Sequence, residues 1–237
     1  MDDTLYPLSC GINLACRKNI QDFMLHHLQI EENQVPTMCL DLYKEHGTTM
    51  AGLKELGFEF DDNEFHAYVH GRLPYETLKP DPFLRNLLLT ISHRKIVFTN
   101  ADKAHAAKVL KRLALEDCFE GVICFETLNQ PPPDSDTSKR IDSSKILCKP
   151  SLEAFQAAIR IANIDPKKTI FFDDSVRNIE AGKAAGFYTV LVGSSSGADV
   201  ALESIHNLRE ALPEIWQDGE QVEPVIAQTA MEATVLA

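Results

Sequence analysis

Four short apolar runs, Lys95–Thr99, Gly121–Phe125, Thr169–Asp173 and Tyr188–Val192, constrain this chain more than any other feature. None shows the apolar–polar alternation of a strand with one wet face, so each reads as a strand buried on both sides. Between them stand helical patterns at Asp102–Leu113, Ser151–Asn163 and Val176–Ala185. A strand followed by a helix and another strand must cross back over its sheet, which makes the pairing parallel. The second half is therefore expected to be an α/β layer with helices on both faces. It opens at Leu78-Lys79-Pro80-Asp81-Pro82, where Asp81 suits an N-cap and Pro82 the first position of a helix running to Ser92.

The segment before that boundary has a different texture. Asn13–Leu28 carries apolar residues at three- and four-residue spacings, and further helices are expected at Thr37–His46, from Thr48 or Thr49 to Leu56, and at Phe65–His70. Gly47 and Gly57 punctuate two of them, and no strand is expected between 11 and 77. After Val192, one more helix is expected at about Ala201–Leu212. The Pro/Ser/Asp-rich stretch Asn129–Asp142 reads as a surface loop, and the acidic, small-residue-rich tail 216–237 as disordered.

With 237 residues and 44% hydrophobic content, the chain can bury a sizeable core. Its formal charge of −12 excludes a reader of nucleic-acid backbones, which needs a basic face, but leaves room for a small anion held by local donors and a metal. The six cysteines form no CxxC pair, so they are expected to be reduced thiols of a cytoplasmic protein. No apolar run is long enough for a membrane span, and the two acids after Met1 give no basic leader. The eight histidines share no evident metal-ligand spacing, and the adjacent His26 and His27 point different ways on a helix.

Chemistry in a parallel sheet collects beyond the carboxyl ends of its strands. Thr99 and Asn100 follow the first apolar run, and Asp173-Asp174-Ser175 with Asn178 end the third. Lys149 stands before a helix start, and Asp2 and Asp3 open the chain. Carboxylates, a lysine and a hydroxyl at such ends suit Mg2+ and a phosphoryl group. Each also has a plainer reading: Thr99 and Asp173-Asp174 suit helix N-caps, and Lys149 suits a solvated surface.

These motifs resemble those of the haloacid dehalogenase-like (HAD) phosphohydrolases. That family has DxDxT after its first strand, Thr or Ser after the second, a later Lys, and an acidic pair after the fourth. Asp2-Asp3-Thr4, Thr99, Lys149 and Asp173-Asp174 match in order, over nearly the whole chain up to Val192. The Leu5-Tyr6-Pro7 and Asp173-Asp174-Ser175-Val176-Arg177-Asn178 runs look most like the pyrimidine 5'-nucleotidases of plants and fungi.

The resemblance implies a Rossmann-like core, 1–10 and 78–215, with an inserted all-helical cap, 11–77. It implies a Mg2+-dependent phosphomonoesterase working through an aspartyl-phosphate on a small phosphorylated metabolite, a pyrimidine nucleoside monophosphate. Asp2, Thr4 and Lys149 would be catalytic. Thr99, Asn100, Lys149 and Tyr6 would bind substrate, with the turn at Thr48 and Thr49 near the leaving group. Asp2, through its carbonyl, Asp173 and Asp174 would hold the metal. In this register the attacking aspartate falls one position before Met1, and the central first strand is missing with it. The chain as written is thus expected to be weakly folded and largely inactive. The competing readings are a phosphatase for another small metabolite and a non-catalytic phosphate binder; a dehalogenase would not need the Asp173-Asp174 pair as metal ligands.

Overall fold

The computed structural model describes residues 1–130, 145–193 and 198–216, and the backbone of 234–236. Helices α1 (Ile12–His26), α2 (Val35–His46), α3 (Thr49–Glu55) and α4 (Asp62–His70) come first, followed by α5 (Pro82–Leu89) and β1 (Lys95–Phe98). Then come α6 (Lys103–Leu113), β2 (Gly121–Ile123), a short α7 (Phe125–Leu128), α8 (Leu152–Ala162) and β3 (Thr169–Asp173). The chain continues through α9 (Val176–Ala184), β4 (Tyr188–Val192), β5 (Val200–Leu202), α10 (Leu208–Ala211) and β6 (Thr234–Leu236).

The strands form one parallel sheet in the order β2-β1-β6-β3-β4-β5. Strand side chains alternate between faces, and here both faces are buried. Val97, Ile170, Phe172 and Val190 pack to one side with α5 and α6, through Leu84, Val109 and Leu110. Ile96, Phe98, Phe171 and Leu191 pack to the other with Phe155 of α8 and Ile179 of α9. Each of these fully covered phenylalanines contributes roughly 1.5–3 kcal/mol by leaving water. The α/β parallel sheet expected from the apolar runs is the sheet observed.

Helix starts follow the expected capping chemistry. Asp81 accepts from the Leu84 N–H at 2.9 Å ahead of Pro82, and Ser151 accepts from Ala154. Helices α1–α4 bury a core of their own around Phe23, Met24, Leu53, Phe65 and Val69.

Three expectations are corrected. The helix placed at Ala201–Leu212 is strand β5, a 3₁₀ turn at Ile205–Asn207 and only then α10, because Val190–Val192 of β4 offers a free edge that Val200–Leu202 pairs with. The tail expected to be disordered from 216 begins with Trp216 inside a 3₁₀ turn, and Thr234–Leu236 forms β6; residues 217–233 and 237 lie outside the described residues. Finally, the central place of the sheet is filled. β6 lies parallel between β1 and β3, with Val235 opposite both Lys95 and Ile170. Unfilled, that place would leave two rows of backbone groups without partners in the middle of the molecule. Most of the stretch read as a surface loop, from 131, lies outside the described residues.

Candidate functional site

The site residues gather at the carboxyl edge of β1 and β3. β1 ends at Phe98, so Thr99 and Asn100 leave the sheet there. Thr99 is buried, and its Oγ1 accepts from the Ala101 N–H at 3.2 Å, which settles the backbone turn into α6. Asn100 clamps the Lys149 backbone in both directions: its amide donates to the Lys149 carbonyl at 2.9 Å, and its Oδ1 accepts from the Lys149 N–H at 2.8 Å.

That clamp aims the Lys149 side chain into the edge. The ammonium is buried, donating to the Phe98 carbonyl at 2.9 Å and to Asp173 Oδ2 at 2.6 Å. The plainer reading of Lys149 as a solvated lysine is thereby removed. Asp173 is buried at the end of β3, and its Oδ1 accepts from the Ser175 N–H at 3.0 Å and from Asn178 at 2.8 Å. Burial would push this carboxyl up, but the Lys149 charge and hydrogen bond hold it below its ordinary range.

The opening residues come to the same edge. Thr4 is buried, and its hydroxyl lies 3.2 Å from both Asp174 Oδ1 and the Asp2 carbonyl. Asp2 Oδ1 accepts from Tyr6 Oη at 2.6 Å and from His105 Nε2 at 2.8 Å. Burial opposes ionisation of Asp2, yet the neighbouring His105 charge and hydrogen bond, aided by Tyr6, keep it well below the usual carboxylate range. Tyr6 is thus a partner of Asp2 within the edge.

Two further acids at this edge, Asp174 and Asp3, are raised and not lowered. Burial raises Asp174, and the Asp173 charge raises it further. Asp3 is pushed up to about 6 by burial, with Asp174 and Asp2 adding to the rise against a hydrogen bond from Asn13. Its Oδ1 is buried with no partner among the described residues. The raised carboxyl of Asp174 beside the Asp2 carbonyl and Asp173 fits an oxygen-ligated divalent cation, which these three would hold, although both Asp173 oxygens already accept hydrogen bonds from Lys149, Ser175 and Asn178.

The helical segment reaches this edge at the turn between α2 and α3. Gly47 has φ +87°, and a Cβ there would collide with the Lys149 carbonyl and stand 2.8 Å from Pro150 Cδ. The segment faces the edge across a cavity of about 250 Å3, whose wall includes Asp2, Thr48, Thr49 and Asn100. Thr48 is also the N-cap of α3, accepting from the Ala51 N–H, and Thr49 donates to the Cys39 carbonyl.

The expectation that the histidines lack metal-ligand spacing is corrected. His66 and His70 are four apart on α4 and lie together with Asp102, the N-cap of α6. His70 meets Asp102 Oδ1 through Nδ1, and its ring tilts against His105 at 4.5 Å. His105 in turn bonds Tyr75 Oη through Nδ1 at 2.8 Å. Burial lowers His66 to about 4 and also lowers His70, the latter against the Asp102 hydrogen bond. Sequence reasoning missed His105 as the partner of Asp2, Tyr75 as the partner of His105 and Asp102 as the partner of His70. Only the i, i+4 spacing of His66 and His70 was visible in advance.

The fold is a parallel-sheet α/β layer with acids, hydroxyls and a lysine gathered at one sheet edge. A model of haloacid dehalogenase-like hydrolases matches residues 17–186, and the chain belongs to that family. It is 24% identical over 200 residues to phosphate metabolism protein 8 of Saccharomyces cerevisiae, covering 81% of this chain and 59% of that protein. It is 23% identical to the glyceraldehyde 3-phosphate phosphatase of Pyrococcus furiosus, covering 86% of this chain and 82% of the relative. Among solved structures, the HAD-hydrolase YfnB of Bacillus subtilis bound to magnesium superposes with a TM-score of 0.55 at 18% identity, over 89% of this chain and 94% of that one. No helix among the described residues is long and apolar enough to cross a membrane.

Proposed function

We propose that this chain carries the catalytic edge of a Mg2+-dependent phosphomonoesterase acting on pyrimidine nucleoside monophosphates. The observation that carries the reading is the convergence of Asp2, Thr4, Thr99, Lys149, Asp173 and Asp174, four separate stretches of sequence, on one sheet edge through the hydrogen bonds above. In this reading 1–10 and 78–215 form the core, 11–77 is the cap that covers the edge, and the protein is cytoplasmic. The phosphatase among the relatives and the magnesium-bound structural neighbour support the class. The nucleotide rests on the Leu5-Tyr6-Pro7 and Asp173-to-Asn178 runs.

The chemistry runs as two displacements. In the register of the resemblance the attacking carboxylate would stand one position before Met1, and as the ester P–O bond breaks Asp2, held ionised by His105 and Tyr6, relays a proton from His105 Nε2, 2.8 Å away, to the leaving oxygen. Water then attacks the aspartyl-phosphate, its proton passes to Asp2, and the carboxylate is released. The ammonium of Lys149 and the hydroxyl of Thr99 hold phosphoryl oxygens, and Asn100 fixes the backbone that aims Lys149. Bound Mg2+ supplies positive charge that offsets repulsion between the phosphate and Asp173 and Asp174. Thr4 orients the opening loop through Asp174, Tyr6 orients Asp2, and closure of the helical segment excludes water.

A panel of phosphate monoesters tests the reading, using a chain extended at its N-terminus by an apolar strand ending in aspartate. UMP is expected to turn over at least about tenfold faster than sugar phosphates, a difference of about 1.4 kcal/mol. Equal turnover would remove the nucleotide assignment and leave a phosphatase of another small metabolite. No phosphate release from any ester would leave a non-catalytic phosphate binder.

A further inference from the structure

His66 is a polar side chain that makes no hydrogen bond among the described residues. It is 7% exposed, and among the described residues both ring nitrogens are buried with no hydrogen-bond partner. Buried polar groups in folded proteins are paired almost without exception, so an imidazole left bare on both sides needs an explanation. Its surroundings would accept an apolar ring: Phe125 stands edge-on at 4.6 Å and Phe65 at 5.8 Å.

The explanation lies in its neighbours. His70 is one turn further along α4, on the same face, and Asp102 faces both from the start of α6. One ligand atom from each of the three lies within 4.8 Å of the others. The Nδ1 atoms of His70 and His66 are 2.5 Å and 3.9 Å from the same Asp102 oxygen, Oδ1. Ligand atoms around a tetrahedral ion with bonds near 2.1 Å stand roughly 3.4 Å apart, so the two separations fall on either side of the required one. The other carboxylate oxygen, Oδ2, is held by the Ala104 and His105 N–H groups, which orients Asp102 and leaves Oδ1 turned toward the rings.

We propose that His66, His70 and Asp102 form a site for a late first-row transition cation of the Zn2+ class. Two imidazoles and one carboxylate suit such an ion and disfavour Mg2+, which prefers oxygen ligands. On binding, the proton shared by His70 Nδ1 and Asp102 Oδ1 leaves to solvent. Both His66 and His70 line the cavity that also includes Asp2, so the fourth coordination position faces that cavity and takes water or a small anion. Two ligands belong to the helical segment and one to the sheet layer, so the ion would pin α4 onto the start of α6. The inference rests on this geometry alone and stands apart from the phosphatase reading.

The test uses the full chain stripped by chelator and titrated with Zn2+ by calorimetry and with Co2+ by visible absorption. One ion per chain is expected, with the intense absorption of four-coordinate cobalt. His66→Leu and His70→Leu should each weaken binding more than about 100-fold, the upper end of what losing an outer-shell partner does. The surface variant His26→Ala/His27→Ala should bind like the parent. X-ray absorption of the zinc-loaded parent, which needs no variant to fold, should show two imidazole scatterers. No stoichiometric binding, undiminished binding in both leucine variants, loss in the surface variant, or a first shell with thiolate or without imidazole would each overturn the proposal.

Discussion

Lys149 and Asp173 form a buried ion pair of the kind that is costly to break from one side. Replacing Lys149 with Met leaves Asp173 as an uncompensated buried carboxylate, and should destabilise the fold by about 3–5 kcal/mol in denaturant titrations. A loss below about 1 kcal/mol would mean that Asp173 finds another partner or takes up a proton. Lys149 was legible as a candidate because of its place before a helix start, but its burial was not, since nothing local announces a partner twenty-four residues away. Asp2 shows the same limit. Its position in the motif was readable, whereas the Tyr75–His105–Asp2 chain joins residues from three distant stretches. Away from the edge, Asp81 makes a pH-dependent contribution. Burial pushes its carboxyl up, but the Leu84 N–H and His206, 2.6 Å away, bring it below its ordinary value. A depressed carboxyl binds fewer protons folded than unfolded, so its stabilisation is present above the ordinary pKa, about 4, and is lost as pH falls through the folded value. Asp81→Asn keeps the cap and removes the charge, so its stability should fall less steeply below about pH 4 than the parent's. Equal acid limbs in urea titrations would contradict this.

At the scale of elements, the strands most legible in the sequence were those with three or four apolar residues in a row, together with the capped helices around them. β5 and β6 were not legible. Each has three residues, and each exists because a neighbouring strand offers unpaired backbone, which is a property of the sheet and not of the segment. The central place accepts a single strand, so β6 and an added N-terminal strand exclude one another there. A chain ending at 233 should therefore expose facing edges of β1 and β3, and their amides should exchange at least about tenfold faster than in the 237-residue chain. Unchanged protection would show that β6 contributes nothing to the sheet. The turn between α2 and α3 is a second element-level junction. Gly47→Ala combines a positive φ with a collision against the Lys149 carbonyl, and should lower stability by at least about 1 kcal/mol in thermal unfolding while shifting the lysine backbone.

For the molecule as a whole, the helical segment and the sheet layer are joined over the carboxyl edge of the sheet by close backbone contact at Gly47 and by Arg177, which donates to the Lys44 carbonyl at 2.6 Å. The cavity between them brings the motif residue Asp2 beside Thr48, Thr49 and the histidines of α4, residues with no motif to mark them. The family was legible because its motif residues stand at strand ends. Of the cavity wall the Thr48–Thr49 turn was legible, but the histidines of α4 were not, because only packing brings them there. The most direct test of the catalytic edge is steady-state release of inorganic phosphate from UMP, with and without Mg2+, by the 237-residue chain, the N-terminally extended chain and the extended chain carrying Asp174→Asn. The account predicts Mg2+-dependent release by the extended chain, at least about 100-fold less from the Asp174 variant, and little from the 237-residue chain. Release at equal rates by all three, or release that survives removal of the metal, would contradict it.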